Sequence, residues 1–216
     1  MSNDKTQAAI AWSLKSWQER HEQGYFPNSE QHRGWRIYDR APDWLVEYGF
    51  PNMLDDVLEI GCGYGEWMIP LAPMVGSVSG CDIHPAPIAV AQEKFKQHGA
   101  INCRAVVNDG LTLPYDDGVF SLVYSVSVFQ HLPRAIVAGY IRETRRVLRP
   151  GGRALFHFRN ADNVGPYPTP AKDIEANHTG DFSCGWTVEQ VRDACLADFA
   201  DVDVIDLGLH LVGVCQ

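Results

Sequence analysis

Val57-Leu-Glu-Ile-Gly-Cys-Gly-Tyr-Gly65 is a short apolar run that empties into three glycines at alternate positions. An apolar run of this length bounded by glycine predicts a buried strand and a tight turn. Residues 66–73 come next as a short helix stopped near Pro73. Glycines let the backbone turn sharply, and without a Cβ they admit a ligand close to the amides. Dinucleotide-binding turns are written G-x-G-x-x-G and rest pyrophosphate on a helix N-terminus. Here the spacing is G-x-G-x-G, and Glu59 stands two residues before Gly61. A carboxylate at that point repels pyrophosphate and suits a cation, such as the ammonium of an amino-acid moiety.

Strand and helix signals alternate from there onward. Residues 75–83 read as a second strand, and residues 85–98 as a helix ended by Gly99. Residues 103–107 make a third strand, closed by Asn108-Asp-Gly110, and residues 119–126 a fourth. A helix over 133–148 is stopped by Pro150-Gly-Gly152, and a fifth strand covers 153–158. This alternation predicts an α/β domain with a largely parallel sheet and helices on both faces. A helix over 187–199 precedes strands at 202–207 and 209–214, separated by little more than Gly208. So short a connection requires an antiparallel pair. Upstream, residues 6–20 have the pattern of an amphipathic helix and residues 21–34 of a loop. Pro42 opens a short helix that Gly49 closes.

Asp82 ends the second strand, 21 residues after Gly61. An acid there can accept hydrogen bonds from both ribose hydroxyls of a nucleoside. Ligands of open parallel sheets bind beyond the carboxyl ends of the strands.

Together these segments resemble the class I S-adenosylmethionine-dependent methyltransferases of the small methyltransferase-domain type. The resemblance covers roughly residues 55–160. Val57–Gly65 resembles the cofactor loop, and Ser79-Gly-Cys-Asp-Ile83 the ribose-binding strand end. Asn108-Asp-Gly110 resembles the segment whose acid meets the adenine amine. Phe120-Ser-Leu-Val-Tyr-Ser-Val-Ser-Val-Phe-Gln-His-Leu-Pro133 resembles the fourth strand and the helix entry after it, although Ser121 stands where the family usually has an acid. Leu148-Arg-Pro-Gly-Gly-Arg-Ala-Leu155 resembles the turn into the fifth strand.

The resemblance implies a single Rossmann-like, doubly wound α/β sheet, mostly parallel with an antiparallel C-terminal edge strand. It implies S-adenosyl-L-methionine as cofactor. Gly61, Cys62, Gly63 and Gly65 would line its methionine portion, with Glu59 beside the loop or ammonium. Asp82 would hold the ribose and Ile83 would pack on the adenine. Asp109 would meet the adenine amine, flanked by Gly110 and Leu111, and Ser125 and Val126 would present backbone at the amino-acid end. Residues 1–54 would form an N-terminal helical lid or cap. Residues 55–216 would form the cofactor-binding domain, with 160–186 as a substrate loop, because a long aperiodic connection in a compact domain is usually functional.

Methyl transfer from a sulfonium needs alignment, and a base where the nucleophile must lose a proton. His131, just after the fourth strand, is the candidate catalytic base. Trp35 and Tyr38 could close the pocket, and His157 and Arg159 at the fifth strand are candidate substrate contacts, although alternation with Phe156 and Phe158 favours a core place for His157. His178, Phe182, Cys184 and Trp186 in the long loop could also meet substrate. Their spacing shows no metal-site regularity, so no metal is expected.

Composition bounds the partners. The 216 residues carry 18 basic against 27 acidic side chains, a formal charge of −9. That balance argues against nucleic acid, whose phosphates call for clustered cations. The acids concentrate late: residues 161–216 hold ten against Lys172 and Arg192. In a basic series, Arg134, Arg142, Arg145, Arg146, Arg149, Arg153 and Arg159, helical spacing puts Arg142, Arg145, Arg146 and Arg149 along one side, as on a solvated helix face. Six cysteines without C-x-x-C spacing, a polar start and no long apolar run suggest a cytoplasmic protein with reduced thiols and no membrane span. The function expected is methylation of oxygen or nitrogen on a small-molecule acceptor. An RNA or protein methyltransferase, or a nicotinamide-dependent oxidoreductase, is the alternative.

Overall fold

A computed structural model describes residues 41–163 and 184–216, with six further exposed helical positions between residues 7 and 19. Most of the expected N-terminal cap, Trp35 and Tyr38 included, and residues 164–183 of the expected substrate loop lie outside the described residues.

In chain order the elements are α1 (Asp43–Gly49), β1 (Asp56–Ile60), α2 (Met68–Leu71) with an adjoining 3-10 turn (Ala72–Met74), and β2 (Ser77–Asp82). Then come α3 (Pro85–Gln97), β3 (Cys103–Val107), β4 (Phe120–Ser125), a 3-10 turn (Phe129–His131) and α4 (Arg134–Val147). The rest is β5 (Leu148–Asn160), β6 (Gly185–Trp186), α5 (Val188–Leu196), β7 (Val202–Asp206) and β8 (His210–Cys215).

One sheet is formed, in the order β3-β2-β1-β4-β5-β8-β7, with β6 added against β5. β1 to β5 are mutually parallel, and β8 runs antiparallel to both β5 and β7. The final strand therefore occupies an inner position, and β7 forms the edge. The chain steps outward from β1 to β3 and then resumes at β4 on the other side of β1. A crevice opens where the order reverses.

The apolar pattern explains the layers. β4 is buried along its whole length, as a central parallel strand covered on both faces must be. On α4, Ile136, Val137, Tyr140, Ile141, Thr144 and Val147 form one buried stripe at helical spacing. It packs with Phe129, Phe156 and Phe158 on one face of the sheet. Leu45, Met68, Ile88, Phe95, Tyr124 and Leu155 fill the other.

Two boundary expectations are corrected. Gly49 does not close α1; it is the helix's last residue, and Phe50 takes the left-handed conformation at φ 43°. Gly49 is small because a Cβ there would sit 3.3 Å from Leu45 Cδ1. Pro150-Gly-Gly152 does not separate α4 from the fifth strand. Leu148 turns extended directly after Val147, and the tripeptide lies inside β5 as an irregularity, where the register jumps from Phe120↔Leu148 to Leu122↔Arg153. Gly151 takes φ 75° there, which glycine adopts without steric cost.

The arginine series divides: Arg142 and Arg145 keep the expected solvated place on α4, while Arg134, Arg146 and Arg153 bind protein groups. Arg146 donates to Leu113 O at 2.9 Å and Tyr115 O at 2.8 Å and pairs with Glu143 and Asp117. Arg134 lies over the Trp186 ring, 4.1 Å from its centroid. Arg153 reaches Gly49 O, Phe50 O and the buried Asp55 carboxylate. The donors of Arg134, Arg146 and Arg153 are thus turned to protein groups rather than to solvent.

Candidate functional site

A cavity of about 280 Å³ opens at the carboxyl ends of β1, β2 and β4. Its walls bring together eight of the expected residues: Glu59, Gly61, Cys62, Gly63, Asp82, Ile83, Val126 and His131.

The glycine loop is built by close approach and by backbone sign. Gly61, Gly63 and Gly65 all have positive φ, 72°, 48° and 71°. A Cβ on Gly61 would fall 2.3 Å from Val128 Cγ2, while one on Gly63 would meet nothing within 4 Å. Gly65 has a different purpose: a Cβ there would fall 2.5 Å from Phe95 Cε1, so it lets α3 pack against the loop. It does not reach the cavity wall.

Asp82 ties this loop to β2. Its Oδ2 accepts from Gly63 N at 3.0 Å and its Oδ1 from His84 N at 2.9 Å. Burial pushes its carboxyl upward, and the two amides oppose that shift. Glu59 is buried, and the Tyr124 hydroxyl donates to its Oε2 at 2.9 Å. Burial pushes the Glu59 carboxyl well above the usual carboxylate range; Glu66 and Asp82 push the same way and the Tyr124 bond opposes. A cation brought beside such a group favours its ionised form. Burial likewise raises the Cys62 thiol, which makes it apolar lining rather than a nucleophile.

Other expected residues fall outside the wall. Asp109 is exposed, and its carboxylate holds its own turn: Leu111 N, Thr112 N and Thr112 Oγ1 all donate to it, at 2.7–2.9 Å. Gly110 and Leu111 belong to that turn. Ser125 is buried and donates its hydroxyl to Ile60 O at 3.1 Å, which ties β4 to β1. Arg159 stands at the end of β5, opposite His210 and Gly185.

His157 is a core residue and does not contact the cavity. Its ring stacks on Trp44 at 5.8 Å and against His210 at 4.4 Å, and its Nδ1 accepts from Ser127 N at 3.2 Å. Burial, with the charges of His210 and Arg159, drives its pKa down to about 3. His210 is shifted in the same direction, mainly by burial. In the unfolded chain a histidine protonates near pH 6.5. Below that pH the unfolded state binds a proton that the native state refuses, so stability falls as pH drops from about 6.5 towards 3. The expected slope from His157 is about 1.4 kcal/mol per pH unit. Urea unfolding between pH 7 and 5 checks this: the wild type should lose stability more steeply than His157→Asn.

Sequence reasoning missed Tyr64, Trp67, His84, Asn108, Ser127, Val128 and Tyr140, which also line the cavity. Most are immediate neighbours of the motifs, and only the register of each turn decides which side chain points inward. Asn108 donates Nδ2 to Tyr140 Oη at 3.0 Å and to Thr112 O at 3.2 Å, while its Oδ1 is buried without a partner. His84 Nε2 is also buried and unpartnered. Unsatisfied buried polar atoms beside an apolar slot are what a nucleoside would complete.

Residues 57–152 match the family model for a methyltransferase domain. The chain is 30% identical over 130 residues to a sterol 4-C-methyltransferase of Caenorhabditis elegans, covering 59% of this chain and 38% of that protein. It is 32% identical over 129 residues to a demethylmenaquinone methyltransferase of Staphylococcus carnosus, covering 58% of this chain and 49% of that one. The chain thus spans half or less of the length of these relatives. Among solved structures, the DhpI–SAH complex shares the fold, with a TM-score of 0.67, 18% identity and 97% of each chain covered. The fold and the glycine loop are those of an open α/β sheet with its crevice at the carboxyl ends of the strands. The chain's residues 57–152 are similar to a methyltransferase domain.

Proposed function

We propose that this chain moves a methyl group from S-adenosylmethionine to oxygen or nitrogen of a small-molecule acceptor. The observation that carries the reading is the cavity itself. One crevice joins a positive-φ glycine loop, a buried and a half-buried carboxyl of raised affinity for protons and two unpartnered polar atoms. These residues fit the cofactor: Glu59 suits its ammonium, Asp82 its ribose, and Ile83 and the Asn108 amide its adenine. When bound, S-adenosylmethionine supplies an electrophilic methyl on a sulfonium.

The chain's own residues then do four things. Gly63, open where a Cβ would stand, leaves room for close approach to the backbone, and Gly61 makes room for Val128 in the wall. Glu59 and Asp82 present oxygen acceptors in a poorly solvated wall, where they act more strongly than in water. Apolar lining from Val126, Val128 and Leu132 excludes water. His131, on the turn after β4, is the group placed to take a proton from the acceptor.

The sterol and menaquinone-precursor relatives support a small organic acceptor. The acid-rich stretch after residue 160 supports a neutral or cationic one. Six free, buried cysteines suit a reducing cytoplasm. Among the described residues no helix is long and apolar enough to cross a membrane.

Calorimetry on the full chain tests the reading. S-adenosylmethionine and S-adenosylhomocysteine should bind and NAD should not; binding of NAD alone overturns it. Asp82→Ala should weaken nucleoside binding by about 1–3 kcal/mol through lost charged hydrogen bonds. In a screen of acceptors, His131→Ala should lower turnover while leaving cofactor affinity in place.

A further inference from the structure

Ser127 lines the cavity in a conformation that side chains rarely adopt. Its φ is 57°, and among the described non-glycine residues only Phe50 shares the sign. A left-handed residue with a Cβ is strained and persists when its surroundings enforce it. One specific contact does so here: the Ser127 N–H donates to His157 Nδ1.

We propose that His157 is a positioning residue, whose ring nitrogen holds Ser127 left-handed and thereby aims the 126–128 turn at the cofactor cavity. The proposal rests on the cofactor reading above and assigns it a residue that the cavity wall does not contain.

The geometry is a chain of three contacts. Trp44 of α1 and His210 of β8 clasp the His157 ring, and β5 and β8 pair at His157↔Val212. The clasped ring fixes the Ser127 amide. Val128, the next residue, fills the space that Gly61 leaves by lacking a Cβ, since a Cβ there would meet Val128 Cγ2 at 2.3 Å. Turning Ser127 back to an ordinary conformation would swing Val128 off Gly61 and open the glycine loop on one side. The bond needs a bare, neutral Nδ1, because a protonated imidazole donates from both nitrogens. Burial beside Arg159 and His210 keeps the ring neutral, with its pKa near 3.

Glycine and asparagine make the test. Asparagine places Oδ1 where histidine places Nδ1 and can accept the same N–H. Glycine at position 127 adopts the left-handed conformation without cost, so it needs no clamp. Calorimetry with S-adenosylhomocysteine on the full chain should show His157→Leu binding about tenfold more weakly and His157→Asn within about threefold of wild type. Adding Ser127→Gly to His157→Leu should recover most of the lost affinity. NMR of the unliganded wild type should show a scalar coupling through the hydrogen bond between the Ser127 amide nitrogen and His157 Nδ1. The proposal is overturned if folded His157→Leu binds like wild type, or if Ser127→Gly restores nothing, since His157 would then act through packing alone. Should wild type fail to bind S-adenosylhomocysteine, the functional reading falls by itself. The coupling, and recovery of the His157→Leu melting temperature by Ser127→Gly, would still decide whether His157 holds Ser127.

Discussion

Gly61→Ala should weaken binding of S-adenosylhomocysteine about 100-fold while the protein remains folded. Two costs add. The backbone at position 61 has φ 72°, where a side chain costs roughly 1–2 kcal/mol. The new methyl would also fall 2.3 Å from Val128 Cγ2, an overlap of the kind that costs about 1–3 kcal/mol in a packed site. Relief requires Val128 or the loop to move, and both line the cavity. Gly99→Ala is the control. It has the same backbone sign, φ 65°, but open space around its Cβ, and it lies away from the cavity. It should lower stability by about 1 kcal/mol and leave affinity alone. Calorimetry and urea unfolding on the two variants separate these outcomes; equal losses of affinity would remove Gly61 from its assigned place.

The largest expected loss of stability comes from Arg153→Ala. Its guanidinium stands 2.8 Å from Asp55 Oδ2, and Asp55 is only 3% exposed. Ser121 donates to the same carboxylate at 2.6 Å, and Asn52 N at 2.9 Å. Arg153 also satisfies the carbonyls of Gly49 and Phe50 where α1 ends. Removing the cation leaves a buried carboxylate without its counter-charge, which costs about 3–5 kcal/mol. Burial opposes ionisation of Asp55, but the bonds from Arg153, Ser121 and Asn52 outweigh it and hold the carboxyl below its usual range. In the wild type the network therefore contributes stability above the unfolded carboxyl's pKa of about 4, and that contribution is lost as pH falls through the lower native value. In Arg153→Ala the dependence should reverse, so that mild acid relieves the unpaired charge. Arg153→Ala with Asp55→Asn should regain part of the loss. Chemical denaturation across pH 4–7 reads all three, and an Arg153→Ala midpoint equal to wild type would refute the network's role.

The same network shows where sequence reasoning stopped. The glycine loop was legible because strand, glycines and carboxylate lie within nine consecutive residues, Val57 to Gly65. The parallel strands were legible because each is a short apolar run bounded by turn residues. Asp55, Ser121 and Arg153 are individually ordinary, and nothing local indicates that they meet across 98 positions. Ser121, which departs from the family's acid at that position, is the hydroxyl that completes this contact. Asp109 was assigned by its place in the segment, yet its carboxylate caps its own turn, because the choice between Asn108 and Asp109 depends on one peptide's orientation. His157 was legible as a core residue from alternation. Its bond to Ser127 was not, since a positive φ on serine leaves no mark in composition.

The placement of β8 between β5 and β7 has a consequence for how the molecule is completed. β7 is synthesised first but has no neighbour in the sheet until the last strand passes between it and β5. The sheet is thus finished by insertion rather than by extension at its rim, a non-local step of the kind that slows folding. His210 arrives with that strand, and so does one half of the clasp on His157. The backbone bonds between Gln216 and Asp201 fasten the last residue to the start of β7. Trimming the C-terminal strand would leave two unpaired ladders facing each other, not a shorter edge. The cavity wall more than thirty positions before β5 ends would lose its support with it.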